Sequence, residues 1–188
     1  GGMGIVESAV QRSLGRAVAV KSLRAPGRGE DDELRMLREA WLTATLEHPN
    51  VVPVHEVIVD PDRGPVIVLK KVQGVAWDTV VDDAAAARER FFAADLLVHN
   101  LEILMQLCQA VHFSHSRRIV HRDIKPSNVM IGDYGEVYLL DWGIAIALGD
   151  DPTGRLPLAR ESPGGVGTRA YMAPEMLDPA PGRCDERT

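Results

Sequence analysis

Four polar residues whose types suit phosphate chemistry lie in two short segments of the chain. Asp123, Lys125 and Asn128 fall within the segment HRDIKPSNVM, and Asp141 follows Asn128 by thirteen residues. A carboxylate can accept a proton from a hydroxyl, while an amide oxygen and a second carboxylate can hold a hard cation such as Mg²⁺. A lysine can neutralise phosphate charge. Phosphoryl transfer depends on positioning and charge stabilisation, and this set of residues can supply both.

Each of these residues taken alone has a simpler interpretation. An isolated Asp, Lys or Asn is typical of a solvated turn, and DWG at Asp141 is compatible with an ordinary turn. The set favours chemistry if the chain between Asn128 and Asp141 folds back on itself. The segment VMIGDYGEVYLLDWG predicts such a hairpin, with two apolar strands around a turn at Asp133–Gly135.

Composition excludes some classes of protein. The chain has 188 residues, of which 45% are hydrophobic, and a net charge of −6. This length allows one large domain or two small lobes, and the acidic balance argues against nucleic acid as a partner. We find no apolar run long enough to span a membrane. Two cysteines without metal-binding spacing fit a reducing compartment, and Cys108 is interpreted as a small core residue. We expect this part of the protein to be cytoplasmic, while a longer protein could still carry a membrane anchor.

The apolar pattern predicts strands and one helix in the first seventy residues. RAVAVKSL and GPVIVLKKV are rich in β-branched residues and predict strands. EDDELRMLREAWLTATLEH predicts an amphipathic helix with acidic residues in its first turn. Its apolar residues at helical spacing are Leu34, Leu37, Trp41 and Leu42.

The pattern changes from about residue 75, where a segment rich in alanine and leucine predicts two helices before HRDIKPSNVM. After the hairpin comes a loop of some twenty residues, rich in Gly, Pro and charge, whose length suggests function. The second helix carries one apolar stripe: Leu97, Leu101, Leu104, Cys108, Val111 and His115.

These motifs resemble, in order, those of the eukaryotic-type protein kinases. HRDIKPSN, DWG and GTRAYMAPE are similar to the catalytic loop, the metal-binding motif and the end of the substrate loop. Upstream, GGMGIV, VAVK and REA resemble the phosphate loop, the strand with the nucleotide lysine and the helix with its partner Glu. GGMG, HPNVV and DWG are typical of the bacterial serine/threonine branch. The resemblance covers essentially the whole chain.

The resemblance implies an α+β, two-lobed fold that is truncated at both ends. Residues 1–72 would form a small antiparallel-sheet lobe without its first phosphate-loop strand, and residues 73–188 the first part of a helical lobe. The apolar stripe on the second predicted helix would then lack part of the surface against which it is normally buried. At ~25 cal/mol per Å² of exposed apolar surface, we expect these residues alone to fold poorly and to phosphorylate little.

The resemblance also implies catalytic roles. Asp123 would orient or deprotonate the substrate hydroxyl, Lys125 would contact the γ-phosphate, and Asn128 and Asp141 would bind Mg²⁺. Lys125 favours a Ser/Thr substrate over Tyr. His121 is interpreted as a packing residue rather than a general base.

For ATP, the resemblance implies that Lys21 binds the α- and β-phosphates and pairs with Glu39. Leu69 would be the gatekeeper of the nucleotide pocket, followed by the hinge at residues 70–72. The other expected ATP-binding residues are Gly1, Gly4, Val6, Ala19, Met130 and Asp141.

The long loop contains candidate phosphorylation sites, because Arg122 stands where the family has an arginine that binds a loop phosphate. Ser162 and Thr153 are the favoured sites. Thr168 is a third candidate, but it is better interpreted as a hydroxyl that bonds Asp123 and Lys125.

One residue of the metal-binding motif departs from the family pattern. Trp142 replaces the commoner Phe and should stack on His121 and on apolar groups of the first helix. Thr43, one turn after Glu39, could provide the space for the larger ring.

We therefore expect a Mg²⁺- and ATP-dependent protein serine/threonine kinase of bacterial signalling, with protein substrates and possible self-association for autophosphorylation. A small-molecule phosphotransferase is less favoured, because GTRAYMAPE resembles a motif that shapes a peptide-binding loop, which such an enzyme does not need. The other alternative is a truncated or pseudokinase-like interaction module that binds nucleotide but has little activity.

Overall fold

A four-stranded antiparallel sheet forms the first part of the molecule. The computed structural model describes residues 4–24, 29–178 and 180–188, so Gly1 lies outside the described residues. The strands are β1 (Gly4–Gln11), β2 (Arg16–Leu23), β3 (Val54–Asp60) and β4 (Gly64–Lys70), in the spatial order β1-β2-β4-β3. Their β-branched residues suit a pleated, half-buried surface. The strands predicted from RAVAVKSL and GPVIVLKKV are confirmed.

Helix α1 (Glu30–Thr45) connects β2 to β3 and packs against β3 and β4. Four acidic residues in its first turn lie at the positive end of the helix dipole. Its buried residues are Met36, Ala40, Leu42 and Thr43. The predicted helix is confirmed, but its predicted apolar face is wrong at Leu34, which is exposed. Small residues such as Ala40 allow close contact with the sheet, and a search for large apolar residues does not find them.

Three helices follow, where the sequence predicted two. They are α2 (Trp77–Asp82), α3 (Ala84–Phe91) and α4 (Leu96–Ser116). Asp83 separates the first two, and its carboxylate accepts a hydrogen bond from Ala85 N–H at 3.1 Å. Asp95 caps α4 by accepting bonds from Leu97 N–H at 2.8 Å and Val98 N–H at 3.3 Å. Both aspartates satisfy N–H groups that a helix start leaves without partners.

The buried face of α4 differs from the predicted stripe. The buried residues are Ile103, Leu107, Ala110 and Ser114, whereas Leu97, Leu101 and Leu104 are exposed. Cys108 is also exposed, so its interpretation as a core residue is wrong. This helix is apolar on more than one side, and periodicity alone does not select the buried side.

The predicted hairpin is confirmed and forms one wall of the main core. Its strands are β7 (Val129–Gly132) and β8 (Val137–Leu139), and β5 (Gly74–Ala76) pairs with β7. Gly135 in the turn has a φ of 83°, a conformation that glycine adopts without steric cost. The main core lies between this hairpin, α4 and the end of α1, and includes Leu42, Leu46, Ile103, Leu107, Val129, Ile131 and Leu139.

A two-stranded sheet joins β6 (Ile119–Val120) to β9 (Ile146–Ala147), on either side of the hairpin. The predicted long loop begins with β9, and its remaining residues, all of which are described, form no helix. Short 3₁₀ turns follow it at Arg169–Tyr171 and Pro174–Leu177. Within the described residues, we find no helix with the length and apolarity needed to cross a bilayer. The sheet with α1 and the helical part make up the two lobes of an α+β fold.

Candidate active site

The carboxylate of Asp123 is held by three residues. Lys125 Nζ donates to its Oδ2 at 2.7 Å and Asn128 Nδ2 at 3.0 Å, while Thr168 N–H donates to Oδ1 at 2.9 Å. Burial raises the pKa of Asp123, but the hydrogen bonds from Lys125 and Thr168 outweigh it and leave the pKa below its usual value. The carboxylate is therefore charged at neutral pH, and the structure brings together four of the predicted site residues: Asp123, Lys125, Asn128 and Thr168.

His121, which is 1% exposed, holds the loop around Asp123 in place from the protein interior. Its Nδ1 accepts a hydrogen bond from Asp123 N–H at 3.1 Å, so its Nε2 carries the proton and donates to Leu140 O at 2.9 Å. Burial lowers the pKa of His121, which favours this neutral form. The interpretation of His121 as a packing residue is confirmed.

The hairpin brings Asp141 back to the loop that carries Asn128. Leu140 N–H donates to Asn128 O at 2.8 Å, and Asp141 follows with a φ of 55°. The Asn128 amide nitrogen donates to Asp123, which leaves its amide oxygen for another partner. An amide oxygen and a half-exposed carboxylate on one cavity wall are hard oxygen ligands and fit Mg²⁺, which takes few protein ligands beside phosphates.

Lys21 on β2 connects helix α1 to Asp141. Its Nζ lies 2.5 Å from Glu39 Oε1 and 3.3 Å from Asp141 Oδ1. Burial lowers the pKa of Lys21, but the carboxylates of Glu39 and Asp141 outweigh it and raise the pKa above its usual value. Lys21 is therefore a cation. Burial raises the pKa of Glu39 above its usual value, and the neighbouring Lys21 offsets only part of this rise.

A cavity of about 730 Å³ separates the sheet from the helical part. This volume lies within the range of about 300–1,000 Å³ that is typical of small-molecule sites. Gly4 approaches Lys21 closely, because a Cβ at Gly4 would lie 3.2 Å from Lys21 Cε. Every predicted ATP-binding residue within the described part of the chain lines this cavity: Gly4, Val6, Ala19, Lys21, Glu39, Leu69, Met130 and Asp141.

Lys70 and Lys71, at the end of β4, make contacts that the sequence did not predict. Lys71 Nζ donates to Ser8 Oγ at 2.8 Å and so connects this segment to β1 beside the cavity. The ammonium group of Lys70 lies 4.5 Å from the ring centroid of Tyr138 on β8. These partners are more than sixty residues apart in the chain, and no local pattern predicts such pairs.

The three candidate phosphorylation sites have different surroundings. The Thr168 hydroxyl accepts a bond from Lys125 Nζ at 2.6 Å, as its interpretation required. The Thr153 hydroxyl donates to both oxygens of Asp151, at 2.8 and 2.9 Å. Ser162 immediately precedes Pro163, whose carbonyl oxygen accepts a bond from Arg122 Nη1 at 3.2 Å. Among the three candidates, Ser162 is therefore the one that directly precedes a residue in contact with Arg122.

Trp142 is 1% exposed and packs in the main core with Leu42 and Leu46 of the α1 end. Its ring centroid lies 4.5 Å from that of His121, with an interplanar angle of 60°. The expected contact of Trp142 with His121 and the end of α1 is confirmed, but the two rings are tilted rather than stacked. Among the described residues, Trp142 Nε1 has no hydrogen-bond partner. That Thr43 provides space for the ring stays a prediction.

Comparison with known proteins agrees with this geometry. The chain matches the family described as "Protein kinase domain" over residues 1–186. It is 39% identical over 180 residues to "Serine/threonine-protein kinase PknB" of Mycolicibacterium smegmatis, covering 93% of this chain and 27% of that protein. It is 32% identical over 191 residues to "Serine/threonine-protein kinase PknD" of Protochlamydia amoebophila, covering 93% of this chain and 19% of that protein.

A third relative is "Probable serine/threonine-protein kinase SCO3848" of Streptomyces coelicolor, 37% identical over 181 residues, covering 93% of this chain and 25% of that protein. The chain belongs to the protein kinase family, and these relatives are bacterial serine/threonine-protein kinases. It spans about a quarter of the length of the curated relatives it matches.

Proposed function

We propose that the protein transfers the γ-phosphoryl group of ATP to serine or threonine hydroxyls of proteins, in bacterial signalling. The observation that carries the proposal is the row of contacts from Glu39 through Lys21 to Asp141 on the wall of an apolar cavity. A charged lysine held in this way faces bound phosphate without having to be reoriented. The cytoplasm, where ATP is abundant, is the proposed location, and the lobe boundary is proposed near residue 72.

In this proposal the adenine lies between apolar residues of the two lobes. Val6 and Ala19 would contact it from the sheet side, Met130 from the helical side, and Leu69 would close the back of the pocket. Lys21 would neutralise the α- and β-phosphates, with Glu39 holding its ammonium group in place. Support comes from the apolar walls of the cavity and from the short Lys21–Glu39 distance.

Asp123 would orient the acceptor hydroxyl and take its proton as the new P–O bond forms. Its lowered pKa suits it to the charged form that binds the hydroxyl hydrogen. Lys125 is held between Asp123 and Thr168 and would stabilise the charge on the transferred group. Asn128 and Asp141 would hold Mg²⁺, which neutralises charge on the β- and γ-phosphates when it is bound.

Protein substrates are proposed because the segment that ends in Thr168 is joined to the catalytic loop. Thr168 N–H donates to Asp123 and the Thr168 hydroxyl accepts a bond from Lys125, and these two bonds fix the chain that follows Gly167 against the site of transfer. A peptide that lies along this segment would bring its hydroxyl to Asp123. Lys125 lies beside Asp123, and a lysine at this position, which the tyrosine-specific branch of the family usually lacks, supports the proposed Ser/Thr preference.

Phosphorylation of the loop itself is proposed at Ser162. A phosphate there would lie next to Pro163, which Arg122 already contacts, and guanidinium groups bind phosphate strongly. Thr153 is less suited, because its hydroxyl donates to Asp151 and a phosphate would repel that carboxylate. Thr168 is bonded to Lys125 and is also less suited. The modification would take place between two copies of the protein.

The test is transfer of labelled phosphate from Mg·ATP by the longest natural chain that contains these residues. Asp123→Asn should reduce transfer by roughly 10²–10⁴-fold while nucleotide affinity stays unchanged, because general-base contributions have this size. Transfer by the Asp123→Asn variant that equals the wild-type rate, or no binding of Mg·ATP, would refute the proposal. Phosphopeptide mapping should find modified Ser162, and a map without modification between residues 144 and 170 would remove the regulatory part.

A further inference from the structure

The start of the long loop folds into a tight turn around Asp151, which we call the 151–156 turn. The Asp151 carboxylate accepts bonds from the N–H groups of Thr153 at 3.0 Å, Arg155 at 2.7 Å and Leu156 at 2.8 Å. Burial raises the pKa of Asp151, but the bonds from Leu156 and Thr153 outweigh it and lower the pKa to about 2. The carboxylate is therefore charged at neutral pH and holds the turn together.

The 151–156 turn is also attached to the protein core. The Leu156 side chain packs against the main core. Directly after the turn, Ala147 N–H donates to Pro157 O at 2.8 Å and Ala159 N–H donates to Ala147 O at 2.8 Å, which adds the loop to strand β9. Arg155 therefore projects from a fixed support, although its own side chain is exposed.

From this support, Arg155 reaches helix α1. Its guanidinium carbon lies 5.1 Å from the centroid of the Trp41 ring, within the range of a cation–π contact. Trp41 is half-buried and follows Glu39 by two residues on the same helix. Because a helix moves as a rigid rod over such a distance, a contact that holds Trp41 also restricts the position of Glu39.

We propose that Arg155 and Trp41 are positioning residues that hold helix α1 where Glu39 pairs with Lys21. This inference rests on the proposed kinase function. The 151–156 turn thereby connects the fold of the long loop to the phosphate-binding lysine. When the turn is displaced, α1 loses this contact and the population of molecules with the Lys21–Glu39 pair falls.

The test compares Arg155→Ala, Trp41→Ala and the double variant in the longest natural chain. Each single variant should lower kcat/KM for ATP by roughly two- to fivefold, which is the strength of an exposed cation–π contact. The double variant should be no worse than the more impaired single variant, because both remove the same contact. Arg155→Lys and Trp41→Phe keep a cation and a ring, and each should restore part of the loss.

Arg160→Ala is the matched control, since Arg160 is an exposed arginine of the same loop that pairs with Asp150 at 2.5 Å. It should leave kcat/KM unchanged. Unchanged kcat/KM in Arg155→Ala, or fully additive losses in the double variant, would overturn the inference. A wild-type protein without any transfer refutes the proposed function instead. The positioning role is then decided by Mg·ADP affinity, which should fall in Arg155→Ala and not in Arg160→Ala.

Discussion

The Thr168 hydroxyl and the Lys125 ammonium group are joined by a hydrogen bond of 2.6 Å across 43 residues of chain. The same lysine donates to Asp123, so that one cation connects the catalytic loop to the end of the long loop. Displacement of the long loop near Thr168 therefore removes a partner from Lys125 and, through Lys125, alters the charge around Asp123.

Thr168→Val should lower the rate of transfer, since it removes the hydroxyl and nearly conserves the shape. A hydrogen bond to a charged group contributes ~1.5–3 kcal/mol, so the expected loss in kcat is roughly ten- to hundredfold. Steady-state kinetics with a peptide substrate would measure it. Thr168→Ser keeps the hydroxyl and should retain most of the activity. Equal rates for the Val and wild-type proteins would contradict this assignment.

Lys21→Met should abolish tight binding of Mg·ATP and destabilise the fold. The side chains of Lys21 and Glu39 are 16% and 13% exposed, so Glu39 would be left with little solvent and no cation. Uptake of a proton by Glu39 limits the loss, which we expect to be ~1–3 kcal/mol by chemical denaturation. The double variant Lys21→Met/Glu39→Gln should recover stability without recovering affinity. A double variant that is less stable than Lys21→Met would show that the pair is not the cause.

Mild acid should destabilise the protein through His121. Its pKa in the folded state lies below the usual 6.5, so the folded protein binds fewer protons than the unfolded chain. The stabilisation is therefore complete above pH 6.5 and is lost as the pH falls from 6.5 toward the folded-state value. The free energy of unfolding should fall by at most ~1.4 kcal/mol per pH unit from this group.

Denaturation curves between about pH 8 and about pH 5 would measure this slope. His121→Asn should flatten the curve. His55→Asn is the control, because burial also lowers the pKa of His55 but its side chain is only half-buried. A slope unaffected by His121→Asn would contradict the assignment.

Trp142→Phe should change stability by about 1 kcal/mol or less. Loss of the larger ring leaves a void, but it also removes a buried N–H without a partner, which costs about 1–3 kcal/mol. Trp142→Ala removes the whole ring and leaves a larger void, so it should lower the free energy of unfolding by ~3–5 kcal/mol. Thermal unfolding of both variants would separate the two effects. A Phe variant as unstable as the Ala variant would mean that Trp142 Nε1 has a partner.

The sequence predicted the fold class, the hairpin and the grouping of Asp141 with Asn128. These features follow from motif order and from local pattern, because a hairpin with strands of three to four residues has few ways to close. The pattern did not identify the boundary at Asp83 or the buried side of α4. The boundary depends on the Asp83 carboxylate, which accepts a hydrogen bond at the start of α3. The buried side of α4 depends on which neighbour packs against a helix that is apolar on several sides. No sequence signal indicated Arg155 and Trp41, since their contact is set by the path of the loop.

The backbone at Asp141 lies in the left-handed region, with a φ of 55°. Aspartate and asparagine tolerate this region better than alanine. Asp141→Asn would thus withdraw the negative charge while preserving the local conformation, whereas Asp141→Ala would also add conformational strain. Asp141→Asn is therefore the better substitution for removing the charge of Asp141 while keeping the native backbone. The difference in the free energy of unfolding between the Asn and Ala variants measures the conformational strain at this residue.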